Sequence, residues 1–425
     1  MTGAPTAEQA PWLSVVGIGE EGLDGLTPAA RTLVAQAEVL VGGARHLAGV
    51  PTAENDSRER LVWPSPLSAL IGEIQARQGR RVCVLATGDP LWFGVAVTLA
   101  KAIPHQEMLV LPAPSAFSLA CARLGWPLAQ VECLTLHGRP LGLLHPALQP
   151  GNRVLALSND GQTPAQVARL LCDRGYGASE MTVLEHMGGP KERVFTALAK
   201  DWPTAARADF NTLALHCQGD PDGALLPRTP GLPNDAFRAD GQITKQEVRA
   251  ATLAALGPTP NAVLWDVGAG CGSVAVEWMR AARNSHAIAV EHKPHRLAFL
   301  ADNAQNLGAA LMEIVAGKAP EALSGLTRPD AIFIGGGLTH AGLFDACWDA
   351  LKPGGRLVAN VVTLDGEQRL LALRQAWGGS LTRISIAQAE PIGGFLGWRP
   401  AMPITQWRLV KPHQSGSLTT NLDNK

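Results

Sequence analysis

Asp266, Gly268, Gly270 and Gly272 stand in the stretch AVLWDVGAGCGSVAVEW, where an apolar run gives way to a helical pattern. Glycines at a strand-to-helix turn let a ligand approach the backbone closely. A dinucleotide loop reads GxGxxG and seats a pyrophosphate on the helix N-terminus, whereas this one reads GxGxG with an acid directly before it. That carboxylate would repel a phosphate but could hold an ammonium. A ligand with an amino-acid moiety, a positive sulfonium and no phosphate fits better than NAD, and S-adenosylmethionine is such a ligand. Glu291 closes the next apolar run 19 positions after Gly272, the separation at which a carboxylate meets ribose hydroxyls in nucleoside-binding folds.

The first half holds a second set. Gly17-Ile18-Gly19-Glu20-Glu21-Gly22 is a literal GxGxxG, but the helical pattern starts only near Thr27, and the next apolar run ends in Gly42-Gly43 instead of an acid. It does not read as a dinucleotide loop. Thr87-Gly88-Asp89-Pro90-Leu91-Trp92-Phe93-Gly94 and Pro112-Ala113-Pro114-Ser115-Ala116-Phe117 each join a strand to a helix. Taken singly they are capped helix starts, with Asp89 and Ser115 as N-caps. Glu291, His292 and His295 could suggest a metal, but the ribose reading already uses Glu291, so no metal is expected. His216-Cys217 at a strand end reads as core or pocket wall, and His137, His186 and His340 as structural or surface groups.

These loops need elements to position them. The chain has 425 residues, more than one core usually supports, so two domains are expected. It is 46% hydrophobic and 17% charged with 45 Gly and 31 Pro, which suits an α/β protein with many tight turns. Lys and Arg number 36 against 37 Asp and Glu, so no basic excess points to a nucleic acid. The seven cysteines form no CxxC pair, which points to reduced thiols and a cytoplasmic setting. No apolar run is long enough to span a bilayer, and no leader is evident.

From Trp12, short apolar runs alternate with helical patterns, as in parallel strands with crossover helices. After about residue 150 the strands follow one another more closely, as in a mixed or antiparallel second lobe. The Pro-, Gly- and Asp-rich stretch 218–240 is the linker candidate. The expected division is a domain at 1–218, a linker at 219–238, a domain at 239–411 and a frayed tail at 412–425. Seven strands are expected in the second domain, with LTRISIAQ and ITQWRLV as a terminal antiparallel pair on a doubly wound Rossmann-like sheet. The segment PIGGFLGW between that pair is either a long hairpin loop or a lid.

The second half resembles the class I methyltransferases, in which a D/E-x-G-x-G loop, an acidic second strand and a later PGG turn recur in this order. Here the turn is Pro353-Gly354-Gly355. The resemblance implies that Gly317, Lys318 and Ala319 flank an adenine and that Gly335, Gly336 and Gly337 border the transfer site. No NPPY-type motif follows that fourth strand, against a nucleic-acid amino methylase. The first half resembles the tetrapyrrole methylases in VVGIGxxG, the GDP loop, the P-x-x-S turn, ARLGWP, and Gly188-Gly189-Pro190 with Glu192. That family has two α/β lobes around a cleft, and the resemblance implies cofactor contacts at Gly88, Asp89, Leu91, Ser115, Ala116, Leu157 and Leu213. It departs at Gly19-Glu20-Glu21, where the family often has GPG.

The two halves together resemble, over about residues 12–410, a family of bifunctional decarboxylating methyltransferases of cobalamin biosynthesis, whose second half begins with a segment like Asp240-Gly241-Gln242-Ile243-Thr244-Lys245-Gln246-Glu247-Val248-Arg249. The resemblance implies methylation of a precorrin at C-5 by the first domain, then C-15 methylation and loss of the C-12 acetate carboxyl by the second, giving precorrin-8. It also implies one S-adenosylmethionine site per domain and a homo-oligomer. Lys245, Arg249, Arg356 and Arg399 are candidate anchors for ring carboxylates. A fused methyltransferase with another substrate, a NAD-dependent oxidoreductase using residues 17–22, and a non-catalytic S-adenosylmethionine sensor are the alternatives.

Overall fold

A computed structural model describes residues 11–52, 56–63, 69–221 and 223–413. The chain forms two compact units, one of Met1–Arg139 with Pro150–Gly223 and one of Pro140–Gln149 with Ala224–Lys425. Most of the expected tail lies outside the described residues.

In the first unit, β1 (Leu13–Ile18), β2 (Val39–Gly42), β3 (Glu59–Val62), β4 (Val82–Thr87) and β5 (Met108–Leu111) form a parallel sheet in the order β3-β2-β4-β1-β5. Residues 13–18 and 82–86 are buried without alternation, as in strands covered on both faces. The intervening helices are α1 (Pro28–Gln36), α2 (Ala44–Ala48), α3 (Ala69–Gln75), α4 (Val95–Leu99) and α5 (Ala116–Leu124). Thr27 caps α1 by accepting from Ala30 N, which accounts for the late helix start after β1.

A second sheet follows, with β6 (Glu132–Thr135), β7 (Arg153–Leu157), α6 (Thr163–Asp173), β8 (Glu180–Glu185), β9 (Arg193–Leu198) and β10 (Asn211–His216). Its order is β6-β7-β10-β8-β9, and only β6 and β7 pair in parallel. The mixed second lobe is as expected, because β8 and β9 are joined by a turn too short for a crossover helix.

The second unit opens with α7 (Gln246–Leu256) and continues through β11 (Val263–Val267), α8 (Ser273–Ala281), β12 (His286–Glu291), α9 (Pro294–Asn306), β13 (Glu313–Ala316), β14 (Ala331–Ile334), α10 (Leu343–Ala350), β15 (Arg356–Val361) and α11 (Leu364–Trp377). β16 (Ser380–Ile384), the hairpin β17 (Ala387–Ile392) and β18 (Phe395–Pro400), and β19 (Ile404–Val410) complete it. The sheet order is β13-β12-β11-β14-β15-β19-β16, parallel as far as β15. β19 then inserts antiparallel between β15 and β16, the terminal pair read from the sequence. The order reverses beside β11, and in such sheets ligands bind at that switch point, outside the carboxyl ends of the strands.

PIGGFLGW is a two-stranded hairpin whose Phe395, Leu396 and Trp398 are exposed. Residues 140–149 group with the second unit, where a Cβ on Gly142 would meet Gln305 O at 2.4 Å. That segment falls inside the expected 1–218 stretch. Among the described residues no helix is long and apolar enough to cross a membrane.

Candidate active sites

The carboxyl ends of β11, β12, β13 and β14 frame a cavity of about 410 Å³ lined by Gly268, Glu291, Gly317, Lys318, Ala319 and residues 335–337. The chain turns out of β11 through Gly268, Gly270 and Gly272, all with positive φ. Gly268 is required twice over: its φ is +71°, and a Cβ would lie 3.1 Å from Gly336 N across the cavity floor. Gly270 and Gly272 shape the loop behind the lining, with Gly270 N donating to Glu291 Oε2 at 2.9 Å.

Glu291 is 3% exposed and accepts three backbone hydrogen bonds, from Gly270 at Oε2 and from His292 (2.8 Å) and Lys293 (2.9 Å) at Oε1. A carboxylate offers about four acceptor sites. His292 Nδ1 also lies 3.2 Å from Oε1, which leaves Oε2, with one donor, as the less occupied oxygen of a residue that lines the cavity.

Asp266 lies inside β11, 1% exposed, with Oδ2 accepting from Ala275 N at 3.0 Å at the start of α8. Its Oδ1 is buried without a hydrogen-bond partner. Burial pushes this carboxyl up to about 7 against the Ala275 hydrogen bond, and the neighbouring Glu291 charge adds to the rise. Asp266 itself does not line the cavity, although Val267 and Gly268 directly after it do, so its unsatisfied buried acceptor is one residue removed from the lining.

Residues not singled out as site groups also line this cavity, among them Gln242, Lys293, Arg296 and His340. Arg296 Nε donates to Asp240 Oδ2 at 2.8 Å, and its NH2 bonds Gln242. The segment Asp240-Gly241-Gln242 was the available clue. His295, weighed as a metal ligand, is 3.2 Å from Asp240.

Two of the candidate anchors are corrected. Arg249 is fully buried, with Nε 2.5 Å from Glu277 Oε1 and further bonds to the carbonyls of Thr244 and Leu232, so it holds the fold together and meets no substrate. Arg356 starts β15 and reaches Leu256 O at 3.3 Å, at the edge of the sheet opposite the cavity loops. Arg399 is exposed in the hairpin, paired with Glu390 at 2.9 Å, and keeps its candidacy. Lys245, exposed at the start of α7, keeps its candidacy.

In the first unit, the loops after β1, β4 and β5 interlock. Gly88 N donates to Ile18 O at 3.0 Å and Ala113 N to Gly88 O at 3.2 Å. Gly17 must be glycine, because a Cβ would sit 2.1 Å from Gly88 O and 2.4 Å from Ala113 N. Gly88, Ser115 and Ala116 come together: a Cβ on Gly88 would lie 3.3 Å from Ser115 Cα. Ser115 caps α5 through Ser118 N at 3.1 Å. Asp89 does not cap a helix; it accepts from Leu91 N at 2.9 Å within the loop, and α4 starts only after Gly94.

Leu91 is 54% exposed, followed by exposed Trp92 and Phe93. Ala116 and Leu157 pack at the rim of one apolar cluster that includes Phe117 and Ala214. Leu213 is corrected: it is 0% exposed in the middle of β10, paired on both sides, and offers no surface to a ligand.

Residues 13–203 match the model of the tetrapyrrole (corrin/porphyrin) methylases, and residues 235–411 match that of the precorrin methyltransferase domain. A precorrin-6Y C(5,15)-methyltransferase [decarboxylating] from Sinorhizobium sp is 48% identical over 404 residues, covering 94% of this chain and 97% of that one. A cobalt-precorrin-7 C(5)-methyltransferase from Salmonella typhimurium is 32% identical over 43% of this chain and 88% of its own. A probable cobalt-precorrin-6B C(15)-methyltransferase (decarboxylating) from Pyrobaculum calidifontis is 36% identical over 39% of this chain and 89% of its own. With near-complete coverage of the Sinorhizobium protein and a matching pair of domains, the chain belongs to the precorrin-6Y C(5,15)-methyltransferase (decarboxylating) family.

Proposed function

We propose that this chain methylates a precorrin at C-5 and C-15 from S-adenosylmethionine and removes the carboxyl of the C-12 acetate, giving precorrin-8. Each unit holds one cofactor, with C-5 served by the first and C-15 and the decarboxylation by the second, in domains of about 1–218 and 239–411. The observation that carries the cofactor reading is the cavity at the switch point, lined by Gly268 and the buried Glu291 carboxylate, with the buried Asp266 carboxyl directly before that lining. The substrate reading draws on the Sinorhizobium relative named for both methylations.

S-adenosylmethionine, when bound, supplies an electrophilic methyl on its sulfonium. Glu291 binds the ribose and Asp266 the ammonium, while Gly268 lets the backbone close on the ligand. A meso carbon between enamine-like pyrrole units is already nucleophilic, so the protein must align it and exclude water. No strong general base is needed. In the decarboxylation, the bond from the acetate methylene to its carboxylate breaks, carbon dioxide leaves, and the macrocycle takes the electron pair after a proton adds at a neighbouring ring carbon. Lys245 and Arg399 are the cationic anchors left of the four candidates.

Titration of the full chain with S-adenosylhomocysteine should give two molecules per chain, and a stoichiometry of one would mean that a unit lacks its site. A second expectation concerns pH. Because Asp266 is held near 7 without a ligand, a bound ammonium must displace its proton below that pH. Affinity in the second unit should therefore rise with pH up to about 7, by at most about tenfold per unit. Calorimetry in buffers of different ionisation enthalpy should detect proton release near pH 6 that Asp266→Asn abolishes. Equal proton release in the variant would sink the role given to Asp266.

A further inference from the structure

Arg45, the second residue of α2, is positioned like an anion-binding group, although neither cofactor site uses it. Its NH1 is 2.6 Å from Glu20 Oε1, and its NH2 lies 3.2 Å from His46 Nε2 and 3.5 Å from Thr87 Oγ1. The guanidinium carbon sits 4.1 Å above the Phe210 ring. An arginine held on so many sides has little freedom left to lose, yet its side chain remains 43% exposed. Arginine has five N–H donors, more than these contacts use.

The partners also define its electrostatics. His46 is buried, and burial, followed by the Arg45 charge, pushes its imidazole down to about 4. It is neutral at pH 7, so it orients Arg45 without competing for its charge. Glu20 is shared, because its Oε2 is 3.0 Å from His186 Nδ1. Arg45 is thus neutralised only in part and keeps donors for a further anion.

Its place supplies the ligand class. Thr87 leads into the Gly88-Asp89 loop, Glu20 stands in the loop after β1, His186 directly follows β8 and Phe210 directly precedes β10. Leu91, Trp92 and Phe93, exposed in the loop that Thr87 begins, add apolar and aromatic surface. A fixed guanidinium fork, in a unit that exposes such surface in the loop after Thr87, complements a flat apolar ring edged with carboxylates. The methyl donor offers only its one α-carboxylate beside a repelled sulfonium, whereas a tetrapyrrole offers several carboxylates around its rim. Glu20 also falls where Gly19-Glu20-Glu21 departs from the family's frequent GPG, so the departure supplies the carboxylate that holds Arg45.

We propose that Arg45 is a substrate-positioning residue of the first unit, binding a peripheral carboxylate of the tetrapyrrole while Glu20 and His46 hold its guanidinium in place. This role rests on the proposed precorrin methylation. The test uses the full chain, comparing wild type with Arg45→Met and Arg45→Lys. For C-5 methyl transfer to a precorrin, Arg45→Met should raise KM about tenfold or more, with kcat changed less than threefold. Arg45→Lys, which keeps the charge and loses the fork, should fall between. S-adenosylhomocysteine should bind all three alike, which also shows that the unit is folded.

An unchanged KM, a loss confined to kcat, or weakened S-adenosylhomocysteine binding would overturn the proposal. Equilibrium binding of the same precorrin without methyl donor, followed by its visible absorption, separates this failure from that of the methyltransferase reading. Weaker binding by Arg45→Met than by wild type supports the role of Arg45, and equal binding refutes it. A wild type that binds precorrin but transfers no methyl group to it refutes the methyltransferase reading instead.

Discussion

Glu291→Ala is expected to weaken S-adenosylhomocysteine binding in the second unit by about 100-fold, given that a hydrogen bond to a charged group contributes roughly 1.5–3 kcal/mol and that the change removes more than one. The carboxylate faces the cavity and also gathers the N–H groups of Gly270, His292 and Lys293. Without it the ribose loses its acceptor and the loop loses the group that draws β11 and β12 into one binding edge. Calorimetry should then find one tight site per chain in place of two. Glu291→Gln should be milder, because the amide oxygen can still accept. A variant that retains two equal sites would show that the ribose lies elsewhere.

Arg249→Ala is expected to destabilise the second unit by about 3–5 kcal/mol, the range for breaking a buried ion pair by removing one partner. Both side chains are almost completely buried, at 0% and 2% exposure. Glu277 also accepts from Gly231 N (2.7 Å) and Leu232 N (2.8 Å), so the pair ties the incoming segment to α7 and α8. Denaturant unfolding followed in the second unit should show the loss directly. At temperatures where the variant remains folded, S-adenosylhomocysteine affinity should match wild type. A stable Arg249→Ala chain that had lost substrate binding would restore Arg249 as a substrate anchor.

What the sequence made legible was local. A strand-to-helix loop is written in a few consecutive residues, so Gly268 and Glu291, which line the cavity, could be picked out from glycine spacing and the distance to the next acid. The alternation of apolar runs likewise distinguished the parallel sheets from the mixed one. Partnerships across the fold were not legible. Nothing near Arg249 indicates that Glu277, a helix away, neutralises it. Nor does the PGG turn reveal that Arg356 opens its strand at the edge away from the cavity.

Lys293 and Arg296 escaped notice, and His340 was read as a structural or surface group, for the same reason, since they converge on one cavity from the segments after β12 and β14. Leu213 came from family resemblance, and its burial follows from a central strand position that resemblance alone does not weigh. The Glu20, Arg45 and His186 contacts join residues 166 positions apart at the extreme. Only the folded unit brings them together.

The central claim is that one chain carries out two methyl transfers and one decarboxylation. It is tested most directly by mass spectrometry of the tetrapyrrole formed by the full chain from its precorrin substrate and S-adenosylmethionine with a trideuterated methyl group. The expected product carries two labelled methyl groups, at C-5 and C-15, and has lost one carbon dioxide. A product with a single labelled methyl group, or with two and the C-12 acetate carboxyl intact, would contradict it.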